Sequence, residues 1–364
     1  MTLLDPLKEL EKYEEFLKIK PLYWDDEANE FVWLDTRLLP FKEVYRRTKD
    51  YRRVGVAIKD MEIRGAPAIG VSAAFGMALA ALEVNTKDVA EYLDKLKEAK
   101  DYLASTRPTA FNLFWALDRV WNVIESNKDK GVEEIREAIL REALTIYVED
   151  IRNNIEMGRI GSKLIDNGDR ILTHCNTGAV ATAGFGTALG VIRYAWYEGK
   201  KIHVITTETR PVLQGARLNV WELTKEGIPF TLITDGMPGL VFKRGLADLA
   251  IVGADRIILT GHTANKIGTY MVALAAWDNE KPFYVAAPTS TIQATTDPSS
   301  IVIEERNPDE VRKVMGQYPI TLPDVNVYNP SFDVTPPKLI TAIITEKGIA
   351  YPPYLKSLKR LLQQ

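Results

Sequence analysis

Apolar and polar positions follow two different rhythms along this chain. In the first third, Leu22-Tyr23-Trp24 and Phe31-Val32-Trp33-Leu34 flank the polar stretch 25–30, which predicts a β-hairpin. From Val54 the pattern turns helical, and Pro108-Thr109 is expected to open a helix carrying Leu113, Leu117, Val120 and Ile124 on one face. The polar, glycine-containing stretch 126–131 reads as a domain boundary. Beyond it Leu140, Leu144, Tyr147, Ile151 and Ile155 recur at helical spacing, which predicts a long amphipathic helix bridging the two halves.

After Gly168 short apolar runs alternate with helical stretches. The runs are 170–173, 202–206, 230–233, 249–252 and 283–286, and the helical stretches include 183–197, 216–225 and 266–277. Continuous apolar strands separated by helices imply βαβ units around a parallel sheet buried on both faces. The expected fold is therefore α/β. A Rossmann-like parallel-sheet domain over 131–364 is preceded by a smaller mixed α+β domain over 1–130. Cys175, Glu208, Asp235 and Asp255 each come just after one of the runs. Open α/β sheets bind ligands beyond the carboxyl ends of their strands, so these four residues are expected along one ligand-facing edge.

Composition narrows the class. Lys and Arg number 46 against 49 Asp and Glu, too even a balance for the concentrated basic face of a nucleic-acid binder. One cysteine, Cys175, excludes an internal disulfide, and the first residues lack the pattern of a signal peptide. The Gly- and Ala-rich stretch 66–82 falls short of a membrane span of roughly 20 strongly apolar residues. A cytoplasmic protein without membrane or nucleic-acid partners is expected. His174, His203 and His262 form no cluster with metal-ligand spacing, so no metal is expected.

Several motifs carry chemistry, each with a plainer reading beside it. Arg64-Gly65-Ala66-Pro67 sets an arginine at the start of an Ala-rich helix, where free N–H groups favour an anion; a turn with a surface arginine would look the same. Thr173-His174-Cys175-Asn176-Thr177-Gly178 joins a strand to a helix, which favours a thiolate, against the alternative of a structural buried cysteine. Asp255, at a strand end, reads as an acid/base or as a salt-bridged carboxylate. Thr263-Ala264-Asn265-Lys266-Ile267-Gly268-Thr269 is expected to start a helix, with Asn265 and Lys266 suited to phosphate. Gln214 suits sugar hydroxyls. Gly184 to Gly190 has the wrong spacing for a dinucleotide loop and is expected inside a helix, so no NAD or other cofactor is inferred.

In order along the chain, RGAPAIG, RPTAFNL, THCNTGAVAT, ETRPVLQGARL, GADRI and TANKIGTY resemble the signature of the methylthioribose-1-phosphate isomerase family. The resemblance runs from about residue 34 to 354. It extends to the superfamily shared with ribose-1,5-bisphosphate isomerases and the regulatory subunits of translation initiation factor 2B. It implies that Cys175 and Asp255 are catalytic and that Arg64, Gly65, Ala66, Arg107, Gln214, Asn265 and Lys266 bind a sugar phosphate. It also implies a homodimer and an aldose–ketose isomerisation without cofactor. A bisphosphate isomerase, using Arg210 and Arg217 for a second phosphate, and a non-catalytic regulatory subunit are the alternatives. His262 stands where the family has Asp, and Asp235-Gly236-Met237-Pro238-Gly239 departs from its usual Asn or Ser followed by Met-Ala.

Overall fold

A computed structural model describes residues 5–363. Two units divide the chain: one runs up to Asn153 and takes in Ala179–Gly186, the other comprises Asn154–Gly178 and the residues from Thr187 onward.

In the first unit, β1 (Leu22–Asp25) and β2 (Glu30–Leu34) form the expected antiparallel hairpin, and β3 (Tyr45–Thr48) pairs on the far side of β2. Five helices follow: α1 (Tyr51–Lys59), α2 (Ala66–Glu83), α3 (Val89–Thr106), α4 (Phe111–Asn127) and α5 (Val132–Gly161), the last continuing into the second unit. Asp50 and Asp88 cap α1 and α3 by accepting first-turn N–H groups. Helix α2 is apolar on all sides and is buried from Ala68 to Ala81, as befits a central core helix. It is long and apolar enough to cross a membrane, yet 78% of it is buried within the protein. Phe75 on α2 lies 5.5 Å from the Trp24 ring, 5.2 Å from Phe31 and 5.6 Å from Tyr147.

Helix α4 begins at Phe111, later than expected. Pro108 and Thr109 lie in a turn closed by the Ala110 N–H donating to the Arg107 carbonyl at 3.0 Å. The polar stretch 126–131 covers the end of α4 and the turn 128–131 before α5, and the division between the units falls within α5.

The second unit holds a seven-stranded sheet. Its strands are β4 (Arg170–Thr173), β5 (His203–Thr207), β6 (Phe230–Ile233), β7 (Leu249–Val252), β10 (Phe283–Ala286), β13 (Ala342–Thr345) and β14 (Gly348–Ala350). The order is β14-β13-β10-β7-β4-β5-β6, parallel throughout except for the β13–β14 pair. A second sheet contains β8 (Arg256–Ile258), β9 (Thr263–Lys266), β11 (Ile292–Gln293) and β12 (Phe332–Thr335), in the order β11-β8-β9-β12. The helices are α6 (Ala188–Tyr197), α7 (Val220–Glu226), α8 (Pro238–Lys243), α9 (Thr269–Asp278) and α10 (Tyr354–Leu362).

Successive strand residues go to opposite cores. Leu172, Ala250, Val285 and Ile343 join one buried cluster, while Ile171, Ile251, Ala286 and Ile344 join another. Both faces of the sheet's interior are thus covered, which is why β4, β7 and β10 read as apolar runs, while the edge strand β6 is partly exposed. The expected Rossmann-like arrangement and the smaller mixed N-terminal part are both present.

Three helix starts differ from expectation, the one expected from 216 opening as a π-helical turn over Gly215–Asn219 before α7 begins at Val220. The helix expected from 183 begins at Ala188, so Gly184-Phe185-Gly186 lies outside it, with Gly186 at φ 97°. The helix expected from 266 begins at Thr269, and Thr263–Lys266 is the strand β9. Gly268, at φ 101°, makes the left-handed step between strand and helix.

Candidate active site

Strand β4 enters the large sheet in its interior, beside the central strand β7. The chain then builds outward through β5 and β6, returns to the other side of β4 with β7, and continues outward through β10 and β13. The reversal creates a crevice between the carboxyl ends of β4 and β7, the position where open α/β sheets bind ligands. Cys175 follows β4 and Asp255 follows β7, so these two expected catalytic residues leave adjacent strands at that switch point. Their loops pack closely. A Cβ added at Gly253 would lie 2.6 Å from Thr177 Cγ2, so any larger residue there would have to push the Thr177 side chain aside. Cys175 is buried and Asp255 half-buried.

The small sheet ties Asp255 to the expected phosphate residues. Asp255 N–H donates to the Ala264 carbonyl at 2.9 Å, and β8 and β9 continue this pairing. Asn265 and Lys266 are the last two residues of β9, both buried. The Lys266 ammonium lies 5.1 Å from the centre of the Phe332 ring. Asn265 Nδ2 donates to Thr269 Oγ1 at 3.0 Å, and Thr269 Oγ1–H donates to the Lys266 carbonyl at 2.6 Å. Gln214 is buried, and its Oε1 has no hydrogen-bond partner among the described residues. Buried carbonyl groups are normally satisfied, so this orphan acceptor suits a ligand hydroxyl.

Arg64, Gly65, Ala66 and Arg107 belong to the first unit. Gly65 precedes α2 at φ 98°, and a Cβ there would sit 2.3 Å from the Ala181 carbonyl oxygen, so Arg64 leads into α2 through a glycine that cannot be replaced freely. Arg107 ends α3 at the turn before α4.

Asp235, Arg210, Arg217 and His262 are held by other groups. The Asp235 carboxylate accepts the N–H groups of Thr209 at 2.8 Å and Arg210 at 2.6 Å, so it braces the loop after β5. Arg210 donates to the carbonyls of Pro211 at 2.8 Å and Val311 at 2.9 Å, and Arg217 to that of Val212 at 3.1 Å. His262 is joined through Nδ1 to Thr260 Oγ1 at 2.8 Å; burial lowers its pKa.

Segment 329–336 resembles the same family as the other motifs, but that resemblance assigns Asp333 no role, because the role depends on strand pairing. Asp333 faces Asn265 across β9–β12 and accepts the N–H groups of Gly268 at 2.7 Å and Tyr270 at 3.0 Å, at the start of α9. Burial raises its carboxyl pKa to about 6, against the opposing pull of those donors and Lys266. The folded protein therefore binds an extra proton between the ordinary value of 3.8 and about 6, and this group's contribution to stability falls as pH rises through that window. The Tm advantage of wild type over Asp333→Asn should shrink between about pH 4 and 6 and level off above it. An advantage that grew with pH would show the carboxylate to be stabilised by its donors.

A family model described as the Initiation factor 2 subunit family matches residues 62–352. A methylthioribose-1-phosphate isomerase of Thermosipho melanesiensis is 51% identical over 349 residues, covering 96% of this chain and 100% of that protein. Among solved structures, the 5-methylthioribose 1-phosphate isomerase of Pyrococcus horikoshii matches with TM-score 0.89 at 42% identity, over 96% of this chain and 98% of that one. A structure titled translation initiation factor eIF-2B, subunit delta, from A. fulgidus matches with TM-score 0.84 at 44% identity, over 95% and 100%.

Proposed function

Since the chain belongs to the Initiation factor 2 subunit family, we propose that it is an aldose–ketose isomerase that converts 5-methylthioribose 1-phosphate to 5-methylthioribulose 1-phosphate in methionine salvage. The observation that carries this reading is the departure of Cys175 and Asp255 from adjacent strands at the sheet's switch point. A pure binding subunit has no need of a thiol and a carboxylate in that crevice.

The anomeric oxygen of this substrate is esterified to phosphate, so its ring does not open as a free hemiacetal does. Ring opening needs a proton at the ring oxygen, and isomerisation then moves hydrogen from C2 to C1. We assign Asp255 as acid/base at the ring oxygen and the C2 hydroxyl, and Cys175 to the C1–C2 edge. Gln214 holds sugar hydroxyls. Arg64, Arg107 and Lys266 hold the phosphate, with the Gly65–Ala66 junction and Asn265 supplying further polar contacts.

Engagement of Arg210 by three backbone carbonyls, those of Pro211, Glu310 and Val311, and of Arg217 by another, disfavours the bisphosphate alternative, which needs a second cationic site. Assaying the purified protein with 5-methylthioribose 1-phosphate and ribose 1,5-bisphosphate tests the choice directly. Turnover of the second alone would overturn this reading, and turnover of neither would favour the regulatory one.

Arg64→Ala, Arg107→Ala and Lys266→Ala should each weaken substrate binding roughly 10- to 100-fold, the effect of losing a charge-assisted contact of about 1.5–3 kcal/mol. Unchanged affinity in all three, measured by calorimetry, would place the phosphate elsewhere. We assign the active form as a cytoplasmic homodimer, which light scattering on the purified protein checks for the oligomeric state.

A further inference from the structure

Cys175 and Thr209 share an unusual backbone geometry, φ 63° and 62°, in the left-handed region that residues with a Cβ seldom occupy. Such conformations persist where surrounding contacts over-determine them. At Cys175 both backbone polar groups are taken by side chains. Its N–H donates to Thr209 Oγ1 at 2.9 Å, and its carbonyl accepts from Asn219 Nδ2 at 2.9 Å.

Behind Thr209 lies a chain of hydrogen bonds whose direction can be worked out. His174 Nε2 lies 2.8 Å from the Ile267 carbonyl, which can only accept, so Nε2 carries hydrogen. The ring is fully buried and burial lowers its pKa; the charged groups acting on it are Asp235, which opposes that shift, and Lys266, which adds to it. A neutral ring leaves Nδ1 bare, and it accepts the Thr207 hydroxyl hydrogen at 2.7 Å. Thr207 Oγ1 then accepts from the Thr209 hydroxyl at 3.0 Å, the nearer of that hydroxyl's two acceptors; the Thr207 carbonyl is at 3.4 Å. The Thr209 lone pairs are thereby turned toward the Cys175 N–H.

We propose that Thr209 is a positioning residue that locks the left-handed turn at Cys175, with Thr207 and His174 orienting its hydroxyl and Ile267 anchoring the chain next to Lys266. The thiol direction is then set by a run of side chains that ends at the expected phosphate segment. The kinetic arm of the test rests on Cys175 being catalytic; the labelling arm does not.

Cys175 is the only cysteine, so iodoacetamide reports on it alone. Thr209→Val is close to isosteric but leaves the Cys175 N–H without its acceptor. Local opening of the loop should become easier, and alkylation of the buried thiol should speed up about 10-fold or more. In turnover, kcat should fall roughly 10- to 100-fold while KM stays within about threefold, since the thiol is displaced and substrate contacts are not. Thr209→Ser, which restores the hydroxyl, should return both quantities close to wild type. A folded Thr209→Val protein that alkylates at the wild-type rate overturns the proposal. Faster alkylation with unchanged kcat upholds the positioning role and removes Cys175 from catalysis. If Thr209→Val does not fold, Thr207→Val, which removes the acceptor that turns the Thr209 hydroxyl, reads the same labelling rate with the same expected rise, and an unchanged rate overturns the proposal.

Discussion

Asp255→Asn should abolish most turnover, lowering kcat by about 10²- to 10⁴-fold, while the dissociation constant for substrate stays nearly unchanged. Asparagine keeps the size of the aspartate and most of its hydrogen-bonding capacity, but it cannot accept and return a proton. The backbone is held independently of the side chain, because the Asp255 N–H is bonded to the Ala264 carbonyl. The loop should therefore keep its place, and the defect should belong to the transition state alone. Cys175→Ser probes the partner group, since a serine hydroxyl is far less acidic than a thiol; a thiol acting in proton transfer should fail to a similar degree. Single-turnover kinetics with calorimetric binding separates the two quantities. If Asp255→Asn retained more than about a tenth of wild-type kcat, outside the range for loss of an acid/base, Asp255 would be a structural carboxylate and the regulatory reading would regain ground.

Arg193→Ala should cost about 3–5 kcal/mol of stability, the usual penalty for removing one partner from a buried ionic group. Arg193 on α6 is 2% exposed and lies 2.9 Å from Glu222 and 2.9 Å from Glu226, themselves 0% and 2% exposed. Glu226 also accepts the Tyr197 hydroxyl at 2.6 Å, and Glu222 accepts Asn176 Nδ2 at 2.8 Å, next to Cys175. Alanine would leave two carboxylates facing each other in the core. A melting-temperature drop on the order of 6–20 °C is expected from the usual 2–4 °C per kcal/mol for a unit of this size. The triple change Arg193→Met, Glu222→Gln and Glu226→Gln, which removes the charges together, should recover much of it. A loss below about 1 kcal/mol for Arg193→Ala would put the pair in the class of exposed, weak ion pairs.

Local patterning made the large sheet legible. A strand buried on both faces needs an unbroken apolar run, and four of the five runs read from the sequence have the boundaries found, with the fifth displaced by one residue to His203–Thr207. Placing Cys175 and Asp255 after strands followed from those runs. Their adjacency did not, because strand order depends on pairing between distant segments: β4 leads to β5, yet β7 is its other neighbour. Thr263–Lys266 was misread as a helix start for a similar reason. Asn and Lys have no strong strand preference, and the segment is held extended by β8 and β12 on either side. Asp235 looked like a ligand-facing carboxylate from its position after a strand, whereas its oxygens are used by the backbone of 209–210. The Thr207–Thr209–His174 chain left no sequence signal, since threonines at a strand end are ordinary and the bonds reach across three loops.

The excursion of Ala179–Gly186 into the first unit limits how this protein could be taken apart or assembled by gene fusion. Those eight residues interrupt the sequence of the second unit, between Gly178 and Thr187. Within the first unit Ala183 N–H donates to Asp150 at 2.7 Å, and the Phe185 ring meets Phe16 edge-on at 5.8 Å. Any cut between the halves of the gene would therefore strand one segment of the first unit on the wrong polypeptide. Domain shuffling, which moves units bounded by single crossings of the chain, could not have handed on the Rossmann-like unit by itself. The two units are expected to have been inherited, and to be lost, as one piece.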